Sequence, residues 1–352
     1  MKNILGSDER LPLFVRLLAN LSALMVIALL LFPGVGMAAA SPLMKECLLK
    51  EMEIGGDKMT LGGLKALCQS KLDDGGIAHV AKEPNGVVDD RLDMDTANLK
   101  NPYTLMAHRA NYIMVAHNGK GFGEEVFQEQ YSNPTIDLDD TEVQFQVSLK
   151  FPLAVDLFDK NIDIYAAYTN RSFWQLFNDD ISSPFRDTNH EPEAWVQIRP
   201  DWEVLGFKNA VNQFGFVHQS NGQGGVLSRS WNRLFANFIF EKNSLAVRLK
   251  PWIRIEEDKE DDDNPDIEDY LGYGEISAAY KWEGHTFDVM VRNLFESSFE
   301  KGTVQLSWSF PLGNYEHFRG YVQYFNGYGQ SLIDYDRNVN SLGVGISLTD
   351  VL

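Results

Sequence analysis

His218 and Ser220 are the two residues of this sequence whose types and spacing best suit chemistry. One residue separates them, so on a β-strand their side chains point to the same face. The residues that follow, 221–225, read Asn-Gly-Gln-Gly-Gly, which is typical of a turn between two strands. A hairpin with its tip near residue 225 would place His218 opposite Asn232 and Ser220 opposite Ser230. The sequence therefore predicts that a hydroxyl, an imidazole and an amide converge.

These three groups suit the hydrolysis of an acyl ester. Ser220 would attack the carbonyl carbon, and His218 would take the hydroxyl proton and later return it to the departing alcohol. Asn232 would accept a hydrogen bond from the imidazole and fix its tautomer. The backbone N–H groups of Ser220 and Gly222 would hold the oxyanion. The alternative is that His218 and Ser220 are ordinary polar residues beside a turn.

From residue 103 to the end, apolar residues recur at every second position, which is typical of β-strands with one apolar face. The clearest examples are the segments 143–151, 245–255, 304–312 and 342–348. We count twelve candidate strands, which begin near residues 103, 141, 161, 193, 205, 230, 244, 270, 285, 302, 318 and 339. A soluble β-sandwich and a membrane β-barrel would both produce this alternation.

Three features favour the barrel. The strands are long enough to cross a bilayer when tilted, their polar face suits a wet interior, and aromatic residues are abundant near strand ends. We therefore predict an all-β fold in which residues 103–352 form a twelve-stranded antiparallel transmembrane β-barrel. Asn232 is in phase with Leu234 and Phe238, so the three reactive side chains are expected on the lipid-facing wall near its outer rim. Polar groups on such a wall are costly, which favours a functional role.

The N-terminal region has the pattern of an export signal. Basic residues precede an apolar run at 17–32, and small residues follow it up to Ala40, so residues 1–40 are predicted to be a cleaved signal peptide. An uncleaved membrane anchor is the alternative. Residues 41–102 are predicted to be a short periplasmic extension with two short helices that pair Cys47 with Cys68. From about residue 71 to 100 we predict a linker with no core of its own.

Composition excludes some functions. The 352 residues include 31 basic and 50 acidic side chains, for a net charge of −19. Because phosphate binding requires clustered Lys and Arg, no nucleic-acid partner is expected. The acidic segment 256–266 is interpreted as a solvated external loop. His190, His285 and His317 lack metal-ligand spacing and are interpreted as surface residues or residues of the aromatic girdle.

The sequence around the predicted triad resembles the outer membrane phospholipase A family. The resemblance rests on His-x-Ser-Asn-Gly at 218–222 and Ser-Arg-Ser-Trp-Asn-Arg at 228–233. It extends to the segments 182–186, 188–189, 191–192, 250–252, 263–266 and 328–335, and it covers roughly residues 103–352.

The resemblance implies a twelve-stranded barrel in the Gram-negative outer membrane, with its active site near the outer leaflet. It implies hydrolysis of acyl esters in phospholipids and lysophospholipids, that is, phospholipase A1, A2 and lysophospholipase activity. His218, Ser220 and Asn232 would be the catalytic residues.

A calcium ion and a homodimer are also implied by the resemblance. By position, calcium would be bound by Ser182 of the partner subunit, by the main-chain carbonyl of Gln223 and by the hydroxyl of Ser228. Oxygen ligands suit this hard cation. The loops that carry Ser182 and Ser228 are two strands apart, so we expect them to emerge at the same end of the barrel. Asn170 would lie in the dimer interface.

Three positions depart from the family pattern. Gln223 stands where the family has Arg, and Asn170 where it has the longer Gln. Leu352 stands where outer-membrane barrels commonly end in Phe, which would weaken recognition by the outer-membrane assembly machinery, an expected partner. The alternatives to an outer-membrane lipase are a non-enzymatic barrel (porin-like or structural) and a soluble periplasmic esterase on a β-sandwich.

Overall fold

The structure is a computed structural model that describes Cys68 and residues 86–99, 103–159, 162–200, 202–258, 260, 262–293, 300–313 and 315–352. The chain divides into two units, Met1–Pro84 and Asn85–Leu352. In the first unit the structure describes Cys68, whose side chain is buried. The predicted signal peptide and the predicted pairing of Cys47 with Cys68 lie outside the described residues.

The second unit is built from one antiparallel sheet with twelve long strands. These are β1 (Asn111–Asn118), β2 (Thr141–Ala154), β3 (Ile162–Trp174), β4 (Phe185–Ile198), β5 (Phe207–Ser220), β6 (Ser230–Lys242), β7 (Leu245–Ile255), β8 (Gly274–Trp282), β9 (His285–Arg292), β10 (Thr303–Leu312), β11 (Tyr315–Gly327) and β12 (Val339–Thr349). Two strands of two residues, Met106–Ala107 and Glu203–Val204, add to β2 and β5.

The sheet closes on itself. Each long strand pairs with the next along the chain, and β1 pairs with both β2 and β12 through Val115, which lies opposite Val143 and Val344. Closure removes the unpaired edges that an open sheet would expose. The predicted twelve-stranded antiparallel barrel is confirmed, and the alternative of a β-sandwich is excluded.

The barrel is apolar outside and polar inside. On the outer wall Ile253 is 62% exposed, Leu348 61% and Leu234 52%. The inner wall carries fully buried polar side chains, such as those of Glu142 and Gln144. This inversion of the usual pattern is what a barrel surrounded by hydrocarbon requires. Among the described residues, no helix combines the length and apolar character needed to cross a membrane.

A helix, α1 (Val87–Asn98), lies against the inner wall. The carboxylate of Glu241 accepts hydrogen bonds from the backbone N–H groups of Val88 and Asp89, at 2.8 and 3.2 Å, and so caps the helix N-terminus. The helix shares a small apolar cluster with the wall, formed by Val87, Val88, Leu92, Ala210, Val211 and Ala246. The prediction of a linker without a core is therefore wrong for Val87–Asn98, which form a helix that contributes to an apolar cluster.

The connections differ between the two ends of the barrel. At one end β6–β7, β8–β9 and β10–β11 are joined by two residues each, at 243–244, 283–284 and 313–314. At the other end the connections are long. They hold α2 (Glu125–Gln130) and α3 (Ile267–Leu271), and they pack together through Phe122, Phe127, Ile136, Leu138, Leu227 and Ile333. These long loops form a compact layer over the end where β5 meets β6.

Candidate active site on the outer wall of the barrel

The hairpin of β5 and β6 has the register predicted from sequence. His218 lies opposite Asn232, and Ser220 lies opposite Ser230. Ser220 is the last residue of β5 and Ser230 the first of β6, so the group lies at the long-loop end of both strands.

His218 and Asn232 are in direct contact. The imidazole Nδ1 is 2.9 Å from Oδ1 of Asn232. The other side of the same amide, Nδ2, donates a hydrogen bond to Oε1 of Glu257 at 2.7 Å. Because the amide presents its oxygen to the ring, Nδ1 is the protonated nitrogen. Nε2 therefore keeps a lone pair that can accept a proton.

The site lies on the outer wall, as predicted. Phe214 and Phe216 share the parity of His218 and are 46% and 41% exposed, whereas Val217 faces inward and is 1% exposed. Leu234, next in phase to Asn232, is also exposed. The imidazole, the hydroxyl and the amide thus form a polar patch at the rim of an apolar surface.

The loop between the two strands is held in place by Asn221. Its side chain is buried, donates to the carbonyl of Leu227 at 2.8 Å, and accepts from the backbone N–H of Arg229 at 3.0 Å. Gly222 follows with φ of +64°, a left-handed backbone conformation that residues other than Gly adopt only at a cost in free energy. An Asn-Gly pair therefore sets the path of the chain immediately after Ser220.

Side chains on the inner face hold the hairpin from behind. The indole N–H of Trp231 donates to Oε1 of Gln219 at 2.8 Å, and the guanidinium of Arg233 lies 4.0 Å from the Trp231 ring centroid. Gln219 in turn donates to Glu191 on β4 at 2.8 Å. These contacts join β4, β5 and β6 beneath the site, which gives the outer-wall residues a rigid base.

Sequence reasoning missed His190. It is the register partner of Ser220 on the neighbouring strand β4, and its Nδ1 is 2.6 Å from Oη of Tyr168. A Cβ at Gly222 would lie 3.7 Å from its Nε2. The residue is therefore part of the site surroundings, which the surface or girdle interpretation overlooked. The register of β4 with β5, which places His190 opposite Ser220, would have identified this residue.

Asn170 lies in the same transverse row. It faces His190 across β3 and β4, and its Oδ1 accepts a hydrogen bond from Ser172 at 3.0 Å. Its parity is that of Tyr168, which is 45% exposed, so it belongs to the outer wall. The row Asn170, His190, Ser220 and Ser230 crosses four strands on one face of the barrel.

The three predicted calcium ligands lie in loops at the same end of the barrel. Ser182 is exposed in the β3–β4 connection, with φ of +64°, while Gln223 and Ser228 are in the β5–β6 connection. Within the described residues, no hydrogen bond joins Ser182 to the other two. The Ser228 hydroxyl donates to the carboxylate of Asp263. Nowhere in the described part of the chain do three or more His, Cys, Asp or Glu side chains form a metal cluster.

Most of the described acidic residues of segment 256–266 are exposed, as expected of a solvated loop, but the segment also makes specific contacts with the barrel. Asp262 forms an ion pair with Arg254 at 2.6 Å, and Asn264 is fully buried, with its Oδ1 accepting from the backbone N–H of Ser230 at 2.9 Å. Asp266 accepts a hydrogen bond from Tyr335, and burial, reinforced by that carboxylate, raises the pKa of the phenol. The second half of the segment is thus held by polar partners on three parts of the barrel: β6, β7 and the β11–β12 connection.

The amino-acid sequence of this chain is similar to those of known phospholipases A1. The model of the phospholipase A1 family matches residues 88–348. The phospholipase A1 of Escherichia coli K12 is 35% identical over 254 residues, which cover 71% of this chain and 83% of that protein. A putative phospholipase A1 of Neisseria meningitidis is 37% identical over 216 residues, 60% of this chain and 55% of that protein.

Two solved structures resemble the fold. Outer membrane phospholipase A from Escherichia coli superposes with a TM-score of 0.66 at 33% identity, covering 73% of this chain and 97% of the other. The Salmonella typhi outer membrane phospholipase, solved as a dimer with bound calcium, gives a TM-score of 0.65 at 33% identity, with 72% and 95% coverage.

Proposed function

This chain belongs to the phospholipase A1 family, an outer-membrane group of phospholipid ester hydrolases, and from that premise we propose a mechanism, a metal and an assembly for it. The observation that carries the proposal is the 2.9 Å contact between His218 and Asn232 on the wall that faces lipid. Ser220 projects from the same face two residues away. A phospholipid beside the barrel would therefore meet the nucleophile without leaving the membrane.

Acylation uses Ser220 and His218. The Ser220 hydroxyl oxygen attacks the carbonyl carbon of the acyl ester, and Nε2 of His218 takes the hydroxyl proton. The tetrahedral intermediate then collapses: the bond to the alkoxy oxygen breaks, and the same proton passes from Nε2 to that oxygen. The lysophospholipid leaves, and the acyl chain stays on Ser220 as an ester.

Deacylation repeats the sequence with water. The water oxygen attacks the carbonyl carbon of the acyl-serine while His218 takes a proton from that water. His218 then gives the proton to the Ser220 oxygen as the fatty acid leaves. Asn232 keeps Nδ1 protonated throughout and stabilises the imidazolium form through its carbonyl dipole. A neutral amide suits this position because a carboxylate on the apolar wall would be costly to desolvate.

The oxyanion would be held by the backbone N–H groups of Ser220 and Gly222. The positive φ of Gly222 turns the chain away immediately after the nucleophile, which leaves room for the substrate carbonyl.

Calcium fits the oxygen atoms at this end of the barrel. We assign it to the carbonyl of Gln223 and the hydroxyl of Ser228, completed by Ser182 of the partner subunit. The donor set of hydroxyl and carbonyl oxygens, beside the Asp263 carboxylate, matches the preference of a hard cation. When bound, calcium supplies positive charge near the oxyanion.

The metal assignment requires a homodimer, because Ser182 and Ser228 would come from different chains. The outer wall around Asn170 is the proposed contact surface. Asn170 is a shorter amide than the family's Gln, so its contact across the interface would be closer. Association would complete two sites at once, which gives the cell control over hydrolysis of its own membrane lipids.

We further propose both A1 and A2 positional activity together with lysophospholipase activity, because the site lies on an open wall rather than in a closed pocket. The long-loop end of the barrel would face the exterior, as in barrels with long external loops and short periplasmic turns. The site would then serve the outer leaflet. The assembly machinery of the outer membrane would insert the barrel.

The experiment that tests this function compares wild type with Ser220→Ala in phospholipid–detergent micelles containing calcium. Wild type should release fatty acid and lysophospholipid, and the variant should release neither. Heat-modifiable migration of the barrel in gel electrophoresis is the control for folding. No release by folded wild type would favour the alternative of a non-enzymatic barrel, and unchanged release by a folded Ser220→Ala barrel would contradict the role of Ser220.

A further inference from the structure

Glu257 contacts the residue that orients the catalytic imidazole. Its Oε1 accepts the hydrogen bond from Nδ2 of Asn232 at 2.7 Å. Asn232 lies opposite Ile255, the last residue of β7, and Glu257 follows two residues later. The contact is therefore a diagonal one between neighbouring strands, which a long side chain can span.

An asparagine amide has two orientations that differ in which end faces the ring. In one, its oxygen accepts from the protonated Nδ1 of His218. In the other, its NH2 group opposes that N–H, so two donors meet and the imidazole loses its partner. A carboxylate has no donor, so Glu257 can accept only from Nδ2. It therefore selects the orientation in which the oxygen faces the imidazole.

The charge of Glu257 strengthens this selection. A hydrogen bond to an ionised acceptor is shorter and stronger than one between neutral groups. Within the described residues, no Lys or Arg forms an ion pair with Glu257, so nothing there competes for the carboxylate. Glu257 also lies beyond the end of β7, where the charge can remain hydrated while the amide sits on the wall.

Among the acidic residues of the segment that the structure describes, no other side chain has a hydrogen bond to Asn232 or His218. Asp262 pairs with Arg254, Asp263 accepts from Ser228, and Asp266 accepts from Tyr335. Glu256, adjacent to Glu257, is exposed. The contact with Asn232 is therefore specific to one carboxylate rather than a property of an acidic loop.

We propose that Glu257 is a positioning residue that locks the Asn232 amide and thereby holds His218 in its reactive tautomer. This inference rests on the proposed function, because it assigns Glu257 a role in the same hydrolysis. It extends the series Ser220, His218 and Asn232 by one carboxylate placed outside the apolar wall.

The test is a double-mutant cycle on the full-length protein in phospholipid–detergent micelles with saturating calcium. Glu257→Ala should lower kcat about tenfold, the value of one charge-assisted hydrogen bond, and leave KM unchanged. In the Asn232→Ala background the same change should have no effect, because the group through which Glu257 acts is gone. Glu257→Gln, whose side-chain oxygen can still accept, should restore most of kcat.

Glu256→Ala is the matched control. It removes the same charge from the adjacent residue and should leave kcat and KM as in wild type. An equal loss in Glu256→Ala would mean that loop charge, not position, matters. An equal loss of kcat from Glu257→Ala with and without Asn232 would overturn the proposal.

Two readouts separate the proposal from its rivals. If Glu257 were instead a calcium ligand, Glu257→Ala would raise the calcium concentration needed for half-maximal activity, and excess calcium would restore kcat; that result contradicts the positioning role. Failure of the proposed function would give a different result from failure of the Glu257 proposal. Ser220→Ala would then retain activity, both with Glu257 and with Ala at residue 257.

Discussion

His190 on β4 and Ser220 on β5 are register partners on the outer wall of the barrel. Asn170 lies on β3, the other neighbour of β4, and is opposite His190. Two strand spacings, about 10 Å, therefore separate Asn170 from Ser220. A second subunit packed against Asn170 would thus lie beside the nucleophile. This proximity supports an assembly in which each subunit contributes to the site of the other.

Replacing Asn232 with Ala should reduce activity less than replacing Ser220 with Ala. The first change removes the group that orients His218 but leaves nucleophile and base, so we expect a loss of about tenfold to a hundredfold in kcat. The second removes the nucleophile, so a loss of at least about a thousandfold is expected. Initial rates of fatty-acid release measure both. Equal losses would contradict the role assigned to Asn232.

Removal of calcium should abolish activity without unfolding the barrel. The proposed ligands are loop oxygens, whereas the fold depends on the closed sheet, so the metal and the fold are separable. Activity with and without a chelator, and heat-modifiable migration under both conditions, would measure the two properties. Turnover that continues at full rate in chelator would remove calcium from the mechanism.

Gly222→Ala should impair hydrolysis through the backbone rather than through a clash. A Cβ there would lie 3.7 Å from the His190 ring, an ordinary contact, but φ is +64° and left-handed backbone costs Ala about 1–2 kcal/mol. Gly222→Asn is the matched variant, since Asn tolerates this conformation better. The kcat of the Asn variant should therefore exceed that of the Ala variant. The reverse order would show that side-chain volume, not φ, controls the position.

Glu241→Ala should destabilise the protein and leave its specific activity unchanged. The change removes the acceptor for two N–H groups of α1, at a cost of about 1–2 kcal/mol in the free energy of unfolding. Glu241→Gln keeps an acceptor and should recover part of that loss. Urea unfolding followed by tryptophan fluorescence is the measurement. An Ala variant as stable as wild type would mean that α1 contributes nothing to the barrel.

The hairpin that carries the triad could be predicted because its contacts are local. Asn221 and Gly222 mark the turn, and a turn position fixes which residues of β5 and β6 face each other. The alternation of apolar residues then decides the face. This is why the contact of His218 with Asn232 and the outer-wall location of both followed from the sequence.

Other features could not be predicted because they depend on distant residues. β4 begins at Phe185 rather than near residue 193, and Pro192 inside it is a residue that usually marks a strand end. The late start left His190 outside the predicted strands. Helix α1 is polar, which normally indicates a linker, but inside a polar barrel its Asp95 pairs with Lys150 at 2.5 Å. Glu257 reaches Asn232 only because its strand end lies beside β6.

The most direct test of the outer-wall triad is covalent labelling of Ser220 with an alkyl fluorophosphonate probe. The serine oxygen would displace fluoride from phosphorus, and mass spectrometry would locate the added group. Wild type should be labelled at Ser220 in the presence of calcium, and His218→Ala, which lacks the base, should not be labelled. Labelling at a different serine, or none in an active preparation, would contradict it.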